Sequence, residues 1–409
     1  MGTQYLGYNA TVANFAGGVA GTDAKNLVYR VTFGGAYTAG DKFKFDVVTA
    51  AQTFNCGISR VTDAAPTYAI TLNDRVHFLY GTGWYFSDNG DSTEFAEQGT
   101  GAGYINVANQ WQEPENLISL APYQGRMAVF SNRTTQIWVI DANPNNFSLQ
   151  QVLSNMGTYC PFGPQSLGDL DVLFPSTTGI RSLRVRDSSL NAFVNDIGSP
   201  IDLNMQASIS GLTAAQLAAT CSIVEPSANR YWHYVNGVIY VLSYFPAAKI
   251  MAAWSTYLPT ATVAGTTYTF VPSRFVTFNS LVYARVTINS AERLLVFGGT
   301  AGTTFDASVA TAATSWLDLK TPGTRKQATE LDFAITGTWT FKGSMDWKGV
   351  TGGGALQTIS GAVSAPSFQL GSVAWSDDGF HVKLQAASSG STAAVLSSMV
   401  LHYQNKGEK

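Results

Sequence analysis

A mainly β chain assembled from repeated sheet units follows from three observations. The run YQGRMAVFSNRTTQIWVIDANPNNF (residues 123–147) repeats, about fifty residues further on, the pattern of NDRVHFLYGTGWYFSDNGDSTEF (residues 73–95). Arg75 matches Arg126, Phe78 matches Phe130, Trp84 and Phe86 match Trp138, Asp88 matches Asp141 and Phe95 matches Phe147. Short apolar runs alternate with Gly, Asn and Asp turns along most of the chain, and aromatic residues, 12% of the total, are plentiful enough to fill wedges between sheets. A period of roughly 40–50 residues with strand pairs in each unit predicts a β-propeller of about six blades. A small N-terminal antiparallel module and one or two short helices complete the predicted fold.

Residues 1–70 start irregularly and then alternate. Val28–Phe33, Lys42–Val48 and Thr53–Ile58 read as strands of a separate β module or arm, and residues 71–409 as the propeller. The first two units are the matched pair above. Asp169–Asp187 follows as strand, turn at Gly179 and strand. Ala228–Phe245 reads as a hairpin turning at Asn236-Gly237, since a type I′ turn needs positive φ at both central residues. Ser273–Thr287 and Ala291–Gly299 continue the pattern. ELDFAITGTWTFKGSMDW, SFQLGSVAWSDDGFHVKLQ and VLSSMVLHYQNKG are expected to add three more strand pairs. Residues 199–224 interrupt the β pattern with Ala, Leu, Gln and Met. Thr213 is the expected N-cap there, with Leu212, Leu217 and Ala218 on one face, and the helices are expected to cover a blade edge.

Composition excludes several functions. Of 409 residues only 12% are Asp, Glu, Lys or Arg, with 39 glycines, so much of the surface is expected to be covered by other protein. Net charge is −3 and no basic run exists, which argues against a protein that grips nucleic acid by its phosphates. No long apolar run predicts a membrane span, and no charged and apolar leader opens the sequence. Cys56, Cys160 and Cys221 are too scattered for a disulfide framework or a zinc site.

The chemical constellations read as structural. Phe86–Phe95 and Trp375–Lys383 both run aromatic, Ser, Asp, Asp or Asn, Gly, like the Asp-box turns of propeller sialidases. Asx capping with a positive-φ Gly builds such a turn without chemistry, and Asp88, Asp91 and Glu94 make only a thin calcium loop. His77, His233, His381 and His402 each sit in strand-like runs without ligand spacing. No G-x-S-x-G occurs, and Gly298–Thr303 lacks the Lys of a phosphate loop. Arg181, Arg184 and Arg186 alternate along what reads as one exposed strand face. No catalytic, cofactor-binding or metal-binding residue is assigned, and no cofactor is expected.

The segment from Tyr123 to Ile201 resembles the nozzle proteins of short-tailed bacteriophages, namely the tail tubular B proteins and packaged-DNA stabilisation proteins. The landmarks are Arg126–Phe130, Gln136–Trp138, Asp141, Asn155–Thr158, Gly168–Phe174, Gly179–Leu183 and Asp196–Asp202, with a further unit at Tyr231–Tyr244. The resemblance covers residues 70–260. It implies a non-enzymatic structural protein of the virion, assembled in the bacterial host cytoplasm as a ring, a hexamer, beneath the portal and adaptor proteins of the head–tail connector. Tail fibres or spikes would be neighbours. Double-stranded DNA would be retained and then pass through during ejection without specific binding, and no membrane is implied. Loops in residues 1–70, 99–103 or 351–354 are the expected gate elements. The alternative is a propeller glycan-binding protein or glycosidase acting at the host surface, motivated by the Asp-box-like hairpins and abundant Trp.

Overall fold

The computed structural model describes residues 19–22, 28–31, 66–92, 94–95, 101–107, 115–168, 170–189, 196–227, 229–245, 250–263, 266–297, 309–345, 356–390 and 393–406. The expected strands Lys42–Val48 and Thr53–Ile58 and the glycine-rich stretches 298–303 and 351–354 lie outside the described residues. The chain divides into two units, Met1–Phe54 and Asn55–Lys409. In the first, β1 (Val19–Thr22) pairs antiparallel with β2 (Val28–Val31).

The second unit is mainly β, and among the described residues its strand ladders are all antiparallel. Its first sheet runs β3 (Tyr68–Leu72), β4 (Arg75–Tyr80), β5 (Gly83–Phe86) and β6 (Gly103–Asn106). The second runs β7 (Leu117–Tyr123), β8 (Arg126–Ser131), β9 (Thr134–Val139) and β10 (Ser148–Ser154). The third has β11 (Gln165–Leu167), β12 (Asp171–Ser176) and β13 (Gly179–Ser182). Helices α1 (Leu183–Ser189), α2 (Asp202–Ile209) and α3 (Ala214–Ala218) follow. The fourth sheet is β14 (Cys221–Glu225), β15 (Arg230–Val235), β16 (Val238–Phe245) and β17 (Ile250–Tyr257). After the hairpin of β18 (Thr260–Val263) and β19 (Thr266–Thr269) comes the fifth sheet, β20 (Pro272–Phe278), β21 (Leu281–Ile288) and β22 (Ala291–Val296).

Two-residue turns with positive φ at both positions set these hairpins: Asn73-Asp74, Gln124-Gly125, Asn236-Gly237, Asn279-Ser280 and Asn289-Ser290. Such turns match the right-handed twist of the flanking strands and so fix register. The five sheets then pack face to face in chain order. In β8, Met127 and Val129 meet Leu79 and Trp84 of the first sheet, while Ala128 and Phe130 meet Val172 and Phe174 of the third. In β15, Tyr231 and Val235 pack with Leu173 and Ile180, while Trp232 and Tyr234 pack with Phe275 and Val282. A strand buried on both faces is apolar except where a polar side chain finds a partner, which is why MAVF and VLF read as unbroken runs and YWHYV is interrupted by His233, bonded to Tyr159 and Ser222. The matched aromatics of the first two units touch: the Trp84 and Trp138 rings lie 5.8 Å apart and Trp84 stacks on Phe147 at 5.6 Å.

The first strands of successive sheets lie side by side, β3 by β7, β7 by β11, β11 by β14 and β14 by β20. Phe162 joins the two ends of this series, 5.5 Å from the Tyr68 ring of β3 and 3.6 Å beneath the Arg274 guanidinium of β20.

The helical interruption lies within the expected interval but ends at Thr220, because Cys221 already starts β14. Thr213 caps α3 with a full capping box through Gln216, and Met205 is the residue α2 buries.

The last third does not supply further four-stranded units. β24 (Lys326–Met345) and β25 (Gln357–Gly379) are single strands of 20 and 23 residues. With β23 (Thr311–Ala313), β26 (Val382–Ser388) and β27 (Val395–Asn405) they form one five-stranded sheet with its own core. The expectation of strand pairs fails here because ITGTW carries no reversing turn. Gly337, at φ 84°, instead bends β24 at a register shift, where its second neighbour changes from β27 to β26. The bend is sharp: Phe333 and Phe341 would stand about 26 Å apart on a straight strand, yet their rings stack at 4.6 Å. Both ends of β24 therefore reach the β25–β26 connection, Lys326 opposite Gly379 and Met345 opposite Val382. Lys326, fully buried, closes this corner by donating to the carbonyls of Thr321, Thr324 and Phe380 at 2.8–3.0 Å.

Candidate functional site

A cluster of charged groups lies around β12, β13 and α1, where the sequence predicts an exposed strand face bearing Arg181, Arg184 and Arg186. The structure corrects this. Gly179–Ser182 is a strand buried at every position, and the chain enters α1 at Leu183. Period-two alternation of Arg with apolar residues misreads a strand-to-helix junction, because both elements place some of those arginines inward. Arg186 Nε donates to Asp196 Oδ2 at 3.2 Å, and both side chains are almost fully buried. Arg181 makes a two-pronged contact with Asp202 at 2.7 and 2.9 Å. Ser182 Oγ donates to Asp171 Oδ2 and accepts from Val185 N, while Asp171 Oδ1 accepts from Arg184 N. These contacts satisfy the orphan N–H groups at the start of α1.

Two carboxylates, Asp171 and Asp196, thus flank Ser182. Burial pushes the Asp171 carboxyl above its ordinary range, against hydrogen bonds from Ser182, Arg184 N and Val172 N. Asp196 accepts from Ser182 N, Ile197 N and Arg186. With their oxygens taken up by backbone and capping donors, the pair holds the junction rather than facing a substrate space.

The first Asp-box-like segment forms a turn. Asp88 Oδ1 accepts from Asn89 N, Gly90 has φ 75° and donates to Asp74 O, and Asp88 bridges Asp91. Beneath it the buried Arg75 donates to the carbonyls of Ser87, Gly101 and Ala142, linking the first and second sheets. Thr71, Asp74, Arg75, Asn89, Gly90 and Ser92 line a shallow depression of about 340 Å³ there. The second segment differs: Trp375–Gly379 stays in β25, Asp377 accepts from Met345 N, and Asp378 pairs with Arg325.

A wider open groove, about 620 Å³, lies on the fifth sheet. Arg274 and Arg285 sit directly opposite each other in register, and Glu292 takes the Arg285 Nε at 2.8 Å and the Thr287 hydroxyl at 2.7 Å. Those two contacts, Thr287 first, hold the Glu292 carboxyl below its usual range. Arg293 and Leu294 complete the wall. Sequence reasoning singles out none of these residues, since they come from three strands whose register no local pattern reveals.

Three of the four histidines, His77, His233 and His402, lie in strands as expected, while His381 lies in the connection between β25 and β26. His77 receives the Trp84 indole N–H at Nδ1, 3.2 Å, and His402 bonds Asp332 at 2.7 Å. His233 lies between Tyr159 and Ser222 at 2.9 and 2.8 Å. Burial lowers His77 to about 4 and His233 to about 3. Both are neutral in the fold but protonate near pH 6.5 when unfolded. Their contribution is therefore complete above that pH and is lost as pH falls towards the folded values. Between pH 6.5 and 5 stability should therefore fall with pH, the slope approaching one proton per histidine as the unfolded chain takes up protons that the fold does not. Denaturant titrations across that window should give a steep acid limb, less steep by about one proton in His233→Gln. Cys160 and Cys221 are buried free thiols, and burial pushes Cys160 up to about 12. Among the described residues no group of three His, Cys, Asp or Glu is placed to hold a metal ion, and no helix is long and apolar enough to cross a membrane.

No family model matches the sequence, and no curated protein does. Similar solved structures include an exo-β-1,3-galactanase from Phanerochaete chrysosporium bound to galactose. It is 10% identical with a TM-score of 0.28, covering 83% of this chain and 96% of that one. The AfRom2 CNH domain is 12% identical with a TM-score of 0.30, over 61% of this chain and 74% of that one. A glycoside hydrolase family 43 arabinoxylan arabinofuranohydrolase from Bacillus subtilis, bound to cellotetraose, is 10% identical with a TM-score of 0.20, over 86% and 97%. Two of these three are glycoside hydrolases and none is a phage tail protein. The expectation that the chain is non-enzymatic is corrected on that finding. At TM-scores of 0.20–0.30 the likenesses assign no activity.

Proposed function

We propose that the chain is a wall-forming subunit of the tail nozzle of a short-tailed phage, with the five stacked sheets arranged radially as blades of a propeller. The reading rests on where the landmarks of the resemblance sit. Arg126–Phe130 and Gln136–Trp138 are β8 and β9, and Asn155–Thr158 folds back on them through Met156 N to Arg133 O and Thr158 N to Ser131 O. Gly179–Leu183 and Asp196–Asp202 are tied together by the Ser182–Asp196 and Arg181–Asp202 contacts. Residues spread over nearly eighty positions thus interlock in one buried framework, as framework landmarks of a common fold should. Copies of the chain would form a ring against adaptor and portal proteins, with fibres or spikes alongside. A charge-poor wall would let DNA pass without the salt-dependent adhesion that neutralised phosphates bring. Mass measurement and negative-stain imaging of the purified chain test this, with closed rings of about six copies expected.

A second reading is a glycan-binding or glycan-cleaving protein. It is favoured by the open groove of about 620 Å³ with Arg274, Arg285, Glu292 and Arg293 on its walls. A monomer that retains or hydrolyses oligosaccharides on a glycan array, and loses this in Glu292→Gln, would establish it over the nozzle reading.

A further inference from the structure

We infer that the two outer strands of the C-terminal sheet, β25 and β27, are the surfaces through which one copy of this chain pairs with the next. The inference rests on the ring reading above and names the contact that would build it. Along the first half of β24 the sheet has three strands. Glu330–Ile335 of β24 pairs with Gln369–Ala374 of β25 on one side, without a register shift, and Glu330–Ala334 with Ser398–His402 of β27 on the other. Among the described residues, β25 and β27 each have β24 as their sole strand partner. Each therefore presents a row of unpaired backbone N–H and C=O groups at its far side.

Protein edges of this length are normally blunted by charge, and these are not. Residues 357–376 contain no Asp, Glu, Lys or Arg, and neither do residues 395–405. Pro366 stands beside the bend at Gly337, next to Ala365 which pairs with it, and leaves the run Gln369–Ala374 free of proline. Large apolar side chains accompany the open edges, with Phe368 63%, Leu370 72%, Val395 57% and Val400 50% exposed. An uncharged, regular, apolar-flanked edge is a template for strand addition.

The occupant follows from the two edges being alike in what they lack and different in sequence. Both strands run antiparallel to β24, so they run in the same direction as each other. A copy placed head to tail sets its β27 beside the first copy's β25 as a parallel pair and leaves its own β25 open for a third. Two-fold pairing of β25 with β25 would strand both β27 edges. The heterologous contact repeats until the rotation closes, which yields a ring.

Leu370 and Val400 lie on one face of this sheet, two residues out of line across β24, since Leu370 pairs with Ala334 and Val400 with Asp332. They would come together across the contact between copies. Leu370→Lys should weaken self-association of the full chain roughly tenfold to a hundredfold, read by sedimentation velocity or mass photometry. Adding Val400→Glu should restore it, because the ammonium then meets a carboxylate of the next copy. Leu370 is exposed and faces Ala334 in register, so the thermal melt of Leu370→Lys should match the wild type. A wild-type ring that Leu370→Lys leaves intact overturns the edge assignment and spares the ring reading. A wild-type chain that stays monomeric overturns both. Loss of rings in Leu370→Lys without rescue by Val400→Glu overturns the pairing of β25 with β27.

Discussion

Replacing Asp196 by Ala is expected to destabilise the second unit by about 3–5 kcal/mol, the cost of leaving one member of a buried ion pair without its partner. The Arg186 and Asp196 side chains are 4% and 0% exposed, so water cannot replace what is removed. The carboxylate also receives the backbone N–H groups of Ser182 and Ile197, and these become orphaned donors in the same variant. The loss should appear as a lower denaturant midpoint and as faster hydrogen exchange in β12, β13 and α1, whose junction this carboxylate holds. Glu292→Ala is the matched control, because the Arg285–Glu292 pair is exposed on both sides and should leave the melt unchanged. A variant at Asp196 as stable as that control would show that the buried network contributes nothing net.

The same network marks where the sequence stops being legible. Asp196 and Arg186 are ten residues apart, and Asp202 and Arg181 twenty-one, so no local pattern links either pair. The alternation in GIRSLRVRD is equally compatible with a strand and with a strand running into a helix. Only the capping role of Ser182 and Asp171 decides between them, and it depends on tertiary approach. What was legible had local causes. Asn-Gly forces the Asn236-Gly237 turn, Thr213 with Gln216 forms a capping box, and the repeated arginine at 75 and 126 opens the second strand of each of the first two sheets. The groove at Arg274, Arg285 and Glu292 was invisible for the same reason as the ion pairs, since its walls meet through register.

The last third does not form strand pairs because Gly337 serves as a corner inside one long strand, and that corner should be the most sensitive point of the C-terminal sheet. Gly337→Ala is expected to cost about 2–5 kcal/mol, from two sources. An L-residue at φ 84° pays roughly 1–2 kcal/mol of steric cost. A Cβ there would also overlap the Ala393 carbonyl oxygen and crowd Ala394, and forcing backbone apart adds roughly 1–3 kcal/mol. The damage should not stay local. If β24 cannot fold back, Phe333 and Phe341 lose their 4.6 Å stack, and Lys326 and Met345 no longer meet the same β25–β26 connection. Hydrogen exchange should therefore rise along β24, β25 and β27 together, while the five stacked sheets keep their protection. Gly361→Ala in the same sheet is the control, because nothing lies within 4 Å of a Cβ at that position. If Gly337→Ala melts like Gly361→Ala, the corner is not held by glycine, and the fold-back of β24 must be driven by the Phe333–Phe341 core alone.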